Sequence, residues 1–115
     1  MVSETMFDRV LALNREAVTA GQFEVGYHLL AAALEWAHAM RDLDRVQQVA
    51  AVAKQQGDIV DADPNHPLST GSANVRGTIP LYRSLTSTAQ GIRAGINAER
   101  VIEQHRHERL RRTWR

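Results

Sequence analysis

The chain contains no cysteine, which excludes disulfides, thiolate metal sites and cysteine nucleophiles. That absence fits a reducing compartment, and a cytoplasmic protein is the expectation. Aromatic residues are scarce, at 5% of the chain. A β-sandwich packs through aromatic and β-branched side chains, so their scarcity beside abundant alanine points to closely packed helices. No apolar run approaches the roughly 18 residues of a membrane span. The opening MVSETMFDRV lacks a basic start followed by an apolar core, so no signal peptide is expected. No spacing requires the loop hydroxyls and the helical histidines to meet, which leaves catalysis without a constellation.

What remains is enough for one domain. At 115 residues with 43% hydrophobic content, the chain can bury a core but not two. Its charge is unevenly placed. Residues 1–92 carry seven basic against ten acidic side chains, whereas residues 93–115 carry seven arginines against Glu99, Glu103 and Glu108. The body is mildly acidic and the end basic.

Hydrophobic periodicity divides the chain into four expected helices. Ser3 is placed to cap the first, about 4–19, with Met6, Phe7, Val10, Leu11, Leu13, Ala17 and Val18 on one broad face. Gly21 reads as its stop. The second, about 22–41, lies in the longest run of good helix formers. At about 100° per residue, Phe23, Tyr27, Leu30, Leu34 and Ala37 form one stripe, and Val25, Leu29, Ala33, Trp36 and Met40 a second. A helix apolar on two faces is packed from two sides, so this one is expected at the centre.

Asp42 or Asp44 can cap a third helix, about 44–60, carrying Leu43, Val46, Val49, Ala50, Ala53, Gly57 and Val60. Gly57 either ends it early or permits close approach to a neighbour. Residues 61–78, rich in Pro, Gly, Asp, Asn and Ser, read as a long loop. Thr78 and Pro80 then suggest the start of a fourth helix, about 79–111. Leu81, Leu85, Ala89, Ile92 and Ile96 form its stripe, which thins to Ile102 and Leu110. The fold expected is therefore all-α: three helices running up, down and up, a loop, and a long last helix.

Gly21-Gln22-Phe23-Glu24, Gly26, Leu30 and Ala33-Leu34-Glu35, with Leu13 and Ala17 before them, resemble a tetratricopeptide repeat over about residues 10–45. Asp63-Pro64-Asn65 is similar to the segment that closes such repeats, although it follows a helix later here. No second copy at a period of about 34 residues is visible. The resemblance implies a helical hairpin of that packing style and protein binding as its role.

Other patterns compete for attention. Glu35 and His38 have the Glu-x-x-His spacing of di-iron bundles, and Glu24 and His28 share their face, so these four are the candidate metal ligands. A second such motif is lacking, and the alternative is a solvated face. Asp61-x-Asp63-x-Asn65 opens like a calcium loop, but His66 replaces the required glycine and Ser72 the closing glutamate. Ser69-Thr70-Gly71-Ser72 lacks the lysine of a phosphate loop. In the basic end, Arg100, Arg106, Arg109, Arg112 and Trp114 are candidate contacts to a partner. Gly91 and Gly95, one helical turn apart, would let a second copy pack closely. No cofactor is implied. The function expected is a non-enzymatic protein-interaction or assembly module. The alternatives are nucleic-acid association through the basic helix and a metal-binding bundle.

Overall fold

The computed structural model describes residues 4–113, and among them all regular structure is helical. Five helices follow in order: α1 (Met6–Thr19), α2 (Phe23–Ala39), α3 (Leu43–Asp61), α4 (Thr70–Arg76) and α5 (Leu81–Thr113). The helix beyond the expected four is α4, which forms inside the segment read from sequence as loop.

The helix ends follow local hydrogen bonding. Ser3 lies outside the described residues, and Thr5 caps α1: its hydroxyl accepts from the Asp8 amide at 3.2 Å, and the Asp8 carboxylate accepts from the Thr5 amide at 3.2 Å. Such a reciprocal box needs an acidic or amide side chain three positions on. Thr5 has Asp8 at that spacing, whereas Ser3 has Met6. Gly21 ends α1 in the left-handed region at φ 79, and the Gln22 amide donates back to the Ala17 carbonyl at 2.8 Å. α2 closes the same way through Arg41 at φ 53, a conformation unfavourable for a residue with a Cβ. Asp42 then caps α3 through the Arg45 amide at 3.2 Å.

Residues 61–78 form a compact connection around the buried Ser69. The Ser69 hydroxyl accepts from the Ser72 amide at 3.1 Å and donates to the Pro64 carbonyl at 3.0 Å. Ser69-Thr70-Gly71-Ser72 is therefore the start of α4. Asp61 is likewise committed: it accepts from the Thr70 amide at 2.7 Å and hydroxyl at 2.9 Å, and from Arg83 at 3.0 Å. Asp63 accepts from the Asn65 amide at 3.0 Å, a local Asx turn. Thr78 closes α4, its amide bound to the Ala73 carbonyl at 2.9 Å. α5 begins later, after Pro80.

In the packing, α1 lies on α2, α3 on α5, and α2 also touches α3 and α5. Phe7 and Leu11 from α1, Leu30, Leu34 and Ala37 from α2, Val46, Val49 and Val60 from α3, and Tyr82, Leu85, Ala89 and Ile96 from α5 share one core. Of the second stripe expected on α2, only Ala33 is fully buried; Val25, Trp36 and Met40 stay largely exposed. That stripe is therefore only partly used. Gly57 lies inside α3, where a Cβ would stand 3.2 Å from the Tyr82 Cβ. It serves close approach, and α3 continues to Asp61.

Ile96 is the last buried side chain of α5. From Asn97 to Thr113 the helix continues for about 25 Å with every residue exposed. The protein is accordingly long and flat, 65 × 41 × 17 Å. No described helix is long and apolar enough to cross a membrane.

A polar pair, Asn14 and Gln56, is buried between the helices. The Asn14 amide donates to the Gly26 carbonyl at 2.7 Å and the Gln56 side-chain oxygen at 3.0 Å, while Gln56 donates back to the Asn14 oxygen at 2.6 Å. This exchange ties α1, α2 and α3 together. Replacing one partner strands the other in the core, so Asn14→Leu is expected to lower unfolding free energy by about 2 kcal/mol. Asn14→Leu/Gln56→Leu is expected to lose less than the two single changes together. Urea unfolding in which the singles simply add would refute the coupling.

At the far end, Arg83 joins Asp58 at 2.8 Å and Asp61 at 2.9 Å, and Lys54 joins Asp58 at 3.2 Å. Hydrogen bonds from Arg83 and then Lys54 hold the Asp58 carboxyl below its ordinary 3.8. Burial pushes Asp61 upward, but Thr70 and Arg83 outweigh it, so this carboxyl is also lowered from 3.8. With folded values depressed, the unfolded chain binds more protons as pH falls. The stability from these groups is complete above the ordinary carboxylate value and lost as pH drops through the folded values. Asp61→Asn is expected to flatten the fall of the urea midpoint below pH 3.8; an unchanged acid limb would contradict this role.

Candidate docking groove

α2 and α5 run side by side in the same direction. At one end the buried Tyr82 hydroxyl donates to the Phe23 carbonyl at 2.6 Å, and the rings of Tyr27 and Tyr82 meet edge to face at 6.0 Å. At the other end Arg41 pairs with Glu99 at 3.1 Å, and Arg100 donates to the Arg41 carbonyl at 3.4 Å. The first contact is buried and fixes the pair. The second is an exposed ion pair of the kind that contributes little, below about 1 kcal/mol. Burial pushes the Tyr82 phenol up to about 12, so it remains a donor at any ordinary pH.

Between these staples a groove of about 610 Å³ lies between the two helices. Tyr27, His28, Ala31, Ala32, Leu34, Glu35 and His38 line it from α2, and Ser84, Leu85, Thr88 and Ile92 from α5. The floor is apolar, with Leu34 and Leu85 buried and Ala31 and Ile92 partly so. Exposed His28, Glu35 and His38 form the rim. On the α5 side the Thr88 hydroxyl donates to the Ser84 carbonyl of its own helix at 3.0 Å. The shape is a valley between parallel helices, with an oily bottom and polar edges. Its volume falls within the range of ligand pockets, while its open, elongated form suits a helix laid along it.

Three of the four sequence-read metal candidates, His28, Glu35 and His38, stand on this rim; Glu24 does not line it. Helical rise separates His28 from Glu35 by about 10 Å along the axis, beyond the reach of one ion. Among the described residues no three His, Asp or Glu side chains converge as a metal would require. Sharing one helix face is not the same as sharing one point.

The candidate partner residues of the basic end are spread around the projecting part of α5. Arg106, Arg109 and Arg112 are exposed, whereas Arg100 is engaged with the Arg41 carbonyl. Trp114 lies outside the described residues. Glu103 and His107 approach one another at 3.4 Å. Val101, Ile102 and Leu110 are exposed on the same segment, Ile102 at 67%. Gly91 and Gly95 face open space, with no atom within 4 Å of where a Cβ would be.

The sequence reading missed the groove itself. Ser84, Thr88 and Ile92 oppose the rim of α2 only because these helices, distant in sequence, run parallel.

Comparison of the chain with protein-family models, with curated proteins and with solved structures finds no match.

The Tyr82 staple gives a direct check on the groove's frame. Tyr82→Phe removes one buried hydrogen bond and is expected to lower unfolding free energy by about 1 kcal/mol. It should also abolish a tyrosinate absorbance step near pH 12. A step that persists in the variant would place the high titration elsewhere.

Proposed function

We propose that this chain is a non-enzymatic protein-interaction or assembly module that takes a helix into the groove between α2 and α5. The observation that carries the reading is the groove itself, an open valley with apolar Leu34, Leu85 and Ile92 at its floor and His28, Glu35 and His38 on its rim. A soluble helix presents an apolar stripe flanked by charge, and this surface is its complement. Thr88 donating into its own backbone leaves few polar demands for a ligand to meet.

In this reading the α1–α2 hairpin, with its resemblance to a tetratricopeptide repeat, is the scaffold. Close contact at Gly26, where a Cβ would meet Val18 Cγ2 at 2.8 Å, supports that tight style of hairpin. Nucleic-acid association is the second reading, favoured by exposed Arg106, Arg109, Arg111 and Arg112 on the projecting helix. Glu99, Glu103 and Glu108 interrupt that surface, and for this reason the groove ranks first. The second reading requires binding that weakens steeply with salt and disappears when residues 100–115 are deleted.

The groove reading is tested by filling it. Ala32 is exposed on its wall, and arginine is nearly as good a helix former as alanine, so Ala32→Arg obstructs the site without disturbing the core. Tagged wild-type chain recovered from its native cells is expected to bring down proteins, copies of itself included, that Ala32→Arg loses by tenfold or more, on the order of one buried anchor side chain. The same set recovered with both chains would overturn the reading.

A further inference from the structure

Ser84, Thr88, Gly91, Gly95, Ala98 and Ile102 succeed one another along α5 at three- or four-residue steps and so share one face. The first two line the groove. The next three are small and exposed, and Ile102 stands on the projecting end. Two glycines in the exposed middle of the longest helix are unfavourable relative to alanine. Among the described residues, nothing lies within 4 Å of where their Cβ atoms would be.

We propose that the occupant of the groove is α5 of a second copy of this chain, in an antiparallel two-fold pair that crosses at Gly95, with Gly91 one turn away; this rests on the docking reading above and names its partner. With the axis beside Gly95, Ile102 and Thr88 lie equal numbers of residues to either side, as do Arg106 and Ser84. The second copy's Ile102 therefore arrives over Thr88, beside the apolar floor of Leu85 and Ile92. Its Arg106 arrives over Ser84, at the end of the groove where α2 presents Tyr27 and His28, because Tyr82 and Phe23 hold those helix ends together. The missing Cβ atoms at Gly91 and Gly95 let the two backbones approach.

Charge supports the same occupant. Residues 1–92 carry seven basic against ten acidic side chains, and residues 93–115 seven against three. Each copy thus lays a basic helix end across the acidic body of the other. The arrangement is closed: both grooves are filled and both projecting ends are covered, so no surface is left to propagate a filament.

Light scattering and disulfide trapping on the full chain decide the matter. Wild type is expected at twice the 12.9 kDa chain mass at micromolar concentration. Gly95→Arg is expected at the single-chain mass with an unchanged helical circular dichroism spectrum, since the position is open in the isolated chain. Because the protein has no cysteine, Thr88→Cys/Ile102→Cys is a clean probe. Within one helix these positions are about 21 Å apart, too far for a disulfide, so oxidation is expected to yield a covalent dimer. A monomer at every concentration up to millimolar overturns the proposal, as does a dimer that survives Gly95→Arg and fails to cross-link. A monomer whose cellular partners are still lost with Ala32→Arg overturns the second-copy occupant alone. A monomer whose partners are indifferent to Ala32→Arg overturns the docking reading as well.

Discussion

The arrangement of the helices depends on the space given to one tyrosine. Tyr82 is 2% exposed and sits between two glycines from different helices. A Cβ on Gly26 would lie 3.2 Å from its hydroxyl, and one on Gly57 would lie 3.2 Å from its own Cβ. Those two absent methyl groups let α2 and α3 close on α5 around an aromatic ring, while the phenol finds the Phe23 carbonyl at 2.6 Å. A buried tyrosine without an acceptor would be costly, because its hydroxyl gives up water. Here the hydrogen bond also aligns α2 with α5, and that alignment creates the valley between them.

The same point binds α1. Gly26 accepts from Asn14 at 2.7 Å through its carbonyl, and Asn14 exchanges two hydrogen bonds with Gln56. Packing of apolar side chains is non-directional, whereas a hydrogen-bonded polar pair in the core adds a directional constraint on register. Among the described residues no buried side-chain polar atom is left without a partner, so the network adds specificity without an orphaned group. Outside this centre the ties are weaker and wetter. The Arg41–Glu99 pair and the glutamates of the α5 end lie in solvent, which is where a surface can still exchange partners.

Some of this was legible residue by residue. Periodicity located α1, α2, α3 and α5 to within a few positions, because a helix buries what its own spacing puts on one face. Gly21 and Asp42 announced a stop and a cap, since those hydrogen bonds close within a few residues. The thinning of the stripe after Ile96 foretold the projecting end. Short-range competition defeated other readings: Ser3 lost the cap to Thr5 because only Thr5 has an acidic partner three positions on, and Thr78 was drawn back to Ala73. α4 escaped notice because its support comes from elsewhere. Asp61 binds Thr70, and Ser69 is buried beneath the turn. Of Glu24, His28, Glu35 and His38, three share the rim of the groove, and helical rise spreads them along α2.

The sequence by itself determined the helical class, the excluded chemistries, the basic end and most helix boundaries, all of which follow from composition or from interactions spanning a turn or two. Tertiary structure decided that α3 lies on α5, that α2 and α5 run parallel, that half of the second α2 stripe remains in water, and that a groove opens between residues nearly sixty positions apart. Those outcomes turn on volumes and on long-range hydrogen bonds, at Gly26, Gly57 and Tyr82 above all. No local pattern records which distant residue will fill the space a glycine leaves.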